Sequence, residues 1–460
     1  MADDRPDLGQ LVKDWKQYAR AIKTFRDYDE GRHELRFATK DFADKYGSVV
    51  RSMRENLCPA AISAFVDGLS IKEWGDQAAE DVADEEGLTR LADLVHTEAY
   101  RSGDAYVLVW KNAAGEPIPH FHRADQFWPK TSATDPGILE YAAKIWVDEK
   151  RLGRINVYYA DRVERFATMN PFTAGTDPDL PEQTTAWRAY DDDGDPDVIA
   201  HDFGAVPVCW WKQNAADQHS HGRSILTDVI PLQDGLNASL AHMLVLGEGY
   251  AKPFWYLLNF QPKGGTTNPL AVAREYQEAM GTLQQLNEQA ARKFDPAKQR
   301  IFTHDGPGPF GQLDPPDMAK LIEVQDAFAL KVARVIGVPS YWFTQTSGQV
   351  PSGESLRVLT TRRNSAIGRF QRSAAPVWRG LASLLGMGDD VTPQWESPMP
   401  LDPIEKIDIA ERKKRLGYAL QDAIAGLDEA DEAGIIQRAD EAASTSAAAI
   451  GRSFREGAGL

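Results

Sequence analysis

Apolar residues recur every three to four positions over residues 7–29, at Leu8, Leu11, Trp15, Tyr18, Ile22 and Phe25. That spacing predicts an amphipathic helix, and Gly31 follows as a stop. The same period marks residues 88–100 and residues 48–66, where Pro59 should kink or split the helix. The period then changes. Residues 105–110, 141–147, 155–159 and 206–211 are short β-branched or aromatic runs, with turn signals such as Ala113-Ala-Gly115 between them. Residues 1–222 should therefore form a mixed domain, helices first and then a mostly antiparallel sheet. Residues 168–197, rich in Pro, Asp and Thr, are expected as an exposed excursion.

Beyond residue 222 long helical periods take over. Residues 225–247 carry Val229, Leu232, Leu236, Leu240, Met243 and Leu244. Pro231 should fall in or near the first turn, where its missing N–H is tolerated. Residues 250–316 break the pattern with an aromatic run at 254–260, a polar helix over 269–293 and a Gly/Pro-rich stretch, and read as a small α/β insertion. Over residues 317–336, Leu321, Ile322, Phe328, Ala329, Val332, Val335 and Ile336 fall within about 140° of arc, on a rod roughly 30 Å long. Residues 352–385 form a third helix, with Ser352 as N-cap and a kink expected at Pro376. Its apolar stripe is Leu356, Leu359, Ile367, Phe370, Ala374, Val377, Leu381 and Leu384. Arg357, Arg362, Arg369, Arg372 and Arg379 lie on the opposite half, and Arg363 alone falls inside the apolar arc. Residues 386–401 read as extended, 402–443 as two charged helices and 444–460 as a fraying tail. The fold class is α+β, predominantly helical.

Composition narrows the function. In 460 residues, 51 Lys and Arg face 68 Asp and Glu, a net charge of −17. That balance argues against a surface that grips duplex DNA or an anionic membrane, since such surfaces need cations. The two cysteines, Cys58 and Cys209, cannot frame a disulfide scaffold and should be small buried hydrophobes. The start lacks a basic-then-apolar leader and no run of 18 apolar residues occurs, so a soluble chain made in a cytoplasm is expected.

Motif-like strings carry little chemistry. Gly306-Pro-Gly-Pro-Phe-Gly311 fits GxGxxG, but its prolines remove the N–H groups that would cradle phosphate. The acidic run 191–197 resembles a calcium loop, yet the register that puts Gly194 at position six puts Ala189 and Ala200 where carboxylates are needed. His120 with His122, and His219 with His221, could each seed a metal site but lack a third ligand, and are expected as surface histidines. With no Walker, HExxH or GxSxG motif, no catalytic residue, metal or cofactor is assigned. Two rivals stay open: a metal-dependent hydrolase built on the His pairs and Asp-rich loop, and a monomeric acidic scaffold or adaptor.

One segment stands apart. Residues 337–353, between the second and third long helices, contain no charged side chain. Tyr341, Trp342 and Phe343 are followed by Thr344, Gln345, Thr346, Ser347, Gly348 and Gln349. Helix–helix connections of this length are usually functional or disordered, and an uncharged polar loop can touch a polyanion without holding it.

Four local strings, in this order, resemble the portal proteins of tailed double-stranded DNA phages, in the branch common among long-tailed actinobacterial phages. They are Tyr28-Asp-Glu-Gly-Arg32 with Leu35-Arg-Phe37, Glu98-Ala-Tyr-Arg-Ser-Gly-Asp-Ala-Tyr-Val107, Gly222-Arg-Ser-Ile-Leu-Thr-Asp-Val-Ile-Pro-Leu-Gln-Asp234, and Gly337-Val-Pro339 followed by Pro351-Ser-Gly-Glu-Ser-Leu356. The resemblance implies a wing from residues 1–222, stem helices at 223–249 and 317–336, and a clip at 250–316. It implies a tunnel loop at 337–353, a kinked tunnel helix at 352–385, an extended return to the wing at 386–401 and a crown at 402–443. Residues 341–349 would face DNA, backed by Arg357, Arg362, Arg369 and Arg372. It further implies a non-enzymatic ring, usually of twelve subunits, at one capsid vertex of the virion, assembled in the host cytoplasm. The implied partners are the terminase large subunit, the major capsid protein and scaffold, a head–tail adaptor, and double-stranded DNA in transit without sequence reading. About twelve such chains carry roughly 200 negative charges, a field that would keep DNA centred and sliding.

Overall fold

The computed structural model describes residues 5–34, 44, 47, 55–135, 137–176, 178–190, 197–251, 255–258, 301–304, 310–312, 318–343, 353–398 and 410–417. The chain divides into two compact units, Met1–Gln394 and Trp395–Leu460. In the second, residues 410–415 are helical and carry a Glu411–Arg415 ion pair at 3.3 Å.

The first unit opens with α1 (Leu8–Asp29), capped by the Asp7 carboxylate, which accepts from the Gly9 and Gln10 N–H groups. Helix α2 (Cys58–Val66) starts with Pro59 at its second position, so the proline begins this helix rather than kinking it. Residues 48–54, the rest of that expected helix, lie outside the described residues. A short strand β1 (Ile71–Glu73) and a helix α3 (Gln77–Glu85) follow. Neither was expected, because the apolar positions of α3 are mostly alanines. Helix α4 (Leu88–Ser102) ends at Gly103, whose φ of 96° suits only glycine.

Strands β2 (Asp104–Lys111), β3 (Pro117–His122) and β10 (Val208–Lys212) form an antiparallel sheet in the order β10-β2-β3. A second antiparallel sheet runs β4 (Phe127–Thr131), β5 (Leu139–Val147), β6 (Gly153–Tyr158), β7 (Arg162–Thr168), β8 (Trp187–Ala189), with β9 (Val198–Ala200) also on β7. Side chains alternate across it. Ala143, Ile145, Ile155, Val157 and Phe166 pack with Leu8, Leu11 and Val12 of α1. Ala142, Tyr158 and Val163 face the other way and pack with Tyr106, Leu108, Val208 and Trp210 of the smaller sheet. The larger sheet is thus a middle layer buried on both faces. The expected excursion over 168–197 is corrected in part: Leu180 and Trp187 are buried in the α1-side core. Residues 191–196, the acidic run, lie outside the described residues.

Helix α5 (Leu226–Ala251) carries Pro231 as its sixth residue, at the start of the second turn and so near the first, as expected. Strand β11 (Trp255–Leu258) pairs parallel with β12 (Ile301–His304) and antiparallel with β13 (Phe310–Gln312). The polar helix at 269–293 and the Gly/Pro run at 305–309 lie outside the described residues. Helix α6 (Met318–Ile336) packs on α5, where Gly235 leaves room for the Phe328 ring. Helix α7 (Gly353–Leu384) continues through Pro376 and packs on β10 and α4, with Trp378 4.7 Å from the Trp211 ring and Phe370 5.2 Å from Tyr100.

The apolar stripes of α6 and α7 are buried only in part. Ala329, Val332 and Ala333 form the seam of α6, while Ile322, Val324, Leu330 and Val335 are 42–52% exposed. On α7, Ile367, Phe370, Ala374, Trp378 and Leu381 are buried, whereas Leu359 is 48% and Val358 71% exposed. Helical period alone placed Val335 and Leu359 with the core; among the described residues they are left 42% and 48% exposed. Among the described residues no helix is long and apolar enough to cross a membrane.

Candidate functional site

The uncharged segment leaves α6 through Gly337, whose φ of 80° reverses the chain while its N–H and that of Val338 both bond the Ala333 carbonyl. Val338 and Pro339 are buried. A short 3₁₀ turn, Ser340–Trp342, follows, held by Trp342 N–H to Pro339 O (3.2 Å) and Phe343 N–H to Ser340 O (3.0 Å). Tyr341 and Phe343 are half-buried and Trp342 is 38% exposed. Thr344, Gln345, Thr346, Ser347, Gly348 and Gln349 lie outside the described residues.

The arginines of α7 do not act alike. Arg362, Arg369 and Arg372 are exposed and Arg357 is half-buried. Arg362 and Arg369 line a groove of about 1400 Å³ together with Ile336, Phe370, Ser373 and Val377. Arg362 reaches the root of the uncharged segment: it lies over Gly337, with Nη1 3.5 Å from the Arg334 carbonyl. Arg363 is buried, donates from Nε to the Ala64 carbonyl of α2 and lies 5.3 Å from the Trp342 ring centroid. Its place in the apolar arc marks a buried polar contact. Burial pulls its pKa down, opposed by Asp67 and Tyr100.

A second polar centre joins residues far apart in sequence. Asp104 is fully buried at the head of β2. Its carboxylate accepts from Tyr18 Oη (2.5 Å), Trp210 Nε1 (2.8 Å), His221 Nδ1 (2.8 Å) and Gly222 N–H (2.8 Å). Burial and then the Asp104 charge hold the Tyr18 phenol well above its usual pKa, so it stays a donor. Gly103 and Gly222 touch backbone to backbone, and a Cβ on either would collide with the other's carbonyl. Gln213 N–H bonds Gly103 O, Arg223 N–H bonds Gln213 O, and Ser224 Oγ bonds Arg101 O.

The network continues outward. Glu98, also buried, accepts from Ser102 Oγ, Ala124 N–H and Arg101 Nη1 at 2.9–3.0 Å. Arg101 bonds Asp29 at 2.6 Å, and Tyr28 Oη donates to Asp234 at 2.6 Å. Residues of 28–32, 98–107 and 222–234, separate strings along the chain, are thus one bonded centre at the entrance to α5. Sequence spacing could not pair them.

The histidines are held in polar contacts. His122 is half-buried, with Nδ1 3.3 Å from Gln126 Oε1 and Nε2 3.5 Å from Lys144 Nζ. Burial, then Lys144, lowers its pKa to about 4. His221 is half-buried between Asp104 and the Tyr18 ring, 4.2 Å away, while His219 bonds Thr131 at 2.8 Å. His122 and His221 are therefore not the surface histidines expected. Among the described residues no group of three His, Cys, Asp or Glu could hold a metal ion. Cys58 and Cys209 are buried as expected, and burial pushes each thiol up to about 12.

Residues 64–424 match the phage portal protein family described as SPP1 Gp6-like. No curated protein matches the chain. Among solved structures, the neck of a native GTA particle computed with C12 symmetry is 14% identical, covering 87% of this chain and 94% of that one, at a TM-score of 0.43. The neck of an empty GTA particle computed with C6 symmetry is 15% identical, covering 85% and 95%, at 0.46.

Proposed function

The chain belongs to the SPP1 Gp6-like family of phage portal proteins, and from that premise we propose that copies of it form a ring channel at one capsid vertex, through which double-stranded DNA is packaged and ejected. The portal role is that of the family; the ring, its location in the virion and the parts below are our reading. Residues 1–222 serve as the wing, α5 and α6 as the stem, 250–316 as the clip, α7 as the tunnel helix and 402–443 as the crown. Residues 341–349 approach the DNA, with Arg357, Arg362, Arg369 and Arg372 on the helix behind them. The terminase large subunit, major capsid protein, scaffold and head–tail adaptor are its partners, and movement comes from the motor.

The observation that carries this reading is the set of apolar side chains left partly open on the two helices that flank the uncharged segment. Ile322, Val324, Leu330, Val335, Val358 and Leu359 are 42–71% exposed on the two helices that flank it. A head-to-tail ring would cover such side chains around the closure, and each, already partly buried, would contribute roughly half of the ~1.5–3 kcal/mol of a full burial. A net charge of −17 per chain suits a conduit that must not hold its cargo.

Native mass spectrometry and negative-stain imaging test the ring: about twelve chains of 51.0 kDa give roughly 600 kDa and an axial hole. Deleting residues 344–349 should leave the ring intact and impair DNA packaging or retention. Normal packaging by intact deleted rings would sink the assignment of that segment.

A further inference from the structure

We propose that the adjacent residues Arg362 and Arg363 are positioning residues that together fix the root of the uncharged segment, residues 337–343, against α6 and α2. This inference rests on reading that segment as the part that meets DNA.

Consecutive residues on a helix point about 100° apart, so one step of α7 can reach two different neighbours. Arg362 turns toward α6. Its side chain covers Gly337, and Nη1 lies 3.5 Å from the Arg334 carbonyl in the last turn of that helix. A Cβ at Gly337 would stand 2.6 Å from Arg362 Nε, and the φ of 80° already disfavours any other residue. The glycine that ends α6 is thus also the floor on which Arg362 rests.

Arg363 turns the other way, into the protein. Its Nε donates to the carbonyl of Ala64 in the last turn of α2, and Nη1 donates to Asn364 Oδ1 at 3.2 Å. Gly68, just beyond α2, makes the space: a Cβ there would lie 2.8 Å from Arg363 Nη2. The guanidinium also sits 5.3 Å from the centroid of Trp342, within cation–π range. A guanidinium stays charged when buried, so both arginines present a cation to the C-terminal carbonyls of another helix, where those carbonyls lack helical donors. The 3₁₀ turn carrying Trp342 is clasped between these two contacts. The arginine pair therefore references the start of the segment to three helices at once.

Hydrogen exchange on the full chain decides it. Arg363→Met should raise exchange of the amides at 338–343 about tenfold or more, as local opening becomes easier. Trp342→Leu, at a partly exposed position, should raise it similarly while leaving α4 and β2 protected. Arg363→Lys, still cationic beside the ring, should recover part of the protection, and Arg362→Ala should loosen residues 336–339. A role in packing alone would make Arg363→Met loosen α2 and α4 without singling out 338–343, and would leave Trp342→Leu silent; that result overturns the proposal. Should Arg363→Met not fold, Trp342→Leu and Arg362→Ala decide the outcome by the same amides. Packaging by rings lacking residues 344–349 tests the DNA-facing reading separately, so raised exchange with undisturbed packaging would leave the anchoring intact and remove its assigned purpose.

Discussion

The carboxylate of Asp104 is fully buried and accepts four hydrogen bonds, whereas Ile322 and Val358, in the same unit, leave 52% and 71% of their surface in solvent. Around Asp104, polar groups from α1, β2, β10 and the approach to α5 bond one another. Along α6 and the first turns of α7, apolar residues stay partly open among the described residues. A buried charge without its donors is strongly destabilising, while an apolar side chain in water is a standing opportunity for contact. The first region holds the fold together; the second is where the proposed ring would make its contact.

The largest way to break this contrast is Asp104→Ala. It strands the Tyr18 and Trp210 donors in the interior, and should lower the unfolding free energy by about 3–5 kcal/mol in denaturant titrations. A graded effect of similar size follows acid. His96 is fully buried on α4 against the edges of Phe370 and Trp378, and burial lowers its pKa to about 3. Its folded pKa lies below the usual 6.5, so the unfolded chain binds the proton first. The stability of the α4–α7 contact is complete above about 6.5 and is lost as pH falls toward about 3, at up to ~1.4 kcal/mol per pH unit. Half-buried His122, at about 4, acts in the same direction. His96→Leu should flatten the acid limb of a stability-versus-pH curve; an unchanged slope would mean another group carries it.

The smallest effect on the fold belongs to the exposed apolar side chains of α6 and α7. Ile322→Ser with Val358→Ser should change the stability of the isolated chain by no more than about 0.5 kcal/mol. The same pair should shift native mass away from the assembled ring. Equal stability and equal assembly in the double variant would mean the exposed apolar positions have no partner.

Much of the frame was legible along the chain. Helices α1, α4, α5, α6 and α7 follow the three-to-four period, and strands β2, β5, β6 and β10 follow their β-branched and aromatic runs. Strand β3 was hidden by Pro117 and Pro119, which sit in an edge strand where a missing N–H costs no ladder bond. Strand β7 was hidden because Arg162, Glu164 and Arg165 interrupt it, although Glu164 is buried by its bonds to arginine.

Alone, the sequence determined what each segment could become: its period, its stop at Gly31, the absence of charge over 337–353, and the ordered strings that point to the portal family. Only the tertiary structure decided which of those positions meet. It joined Tyr18, Asp104, Trp210 and His221 into one buried centre, drew Arg363 inward to Ala64 and Trp342, and left Val335 and Leu359 partly exposed despite their place in an apolar stripe. The physical reason is range. Periodicity reports the face of a residue on its own helix or strand, set by neighbours within one or two turns, while burial, pairing and charge depend on atoms brought from a hundred or more residues away.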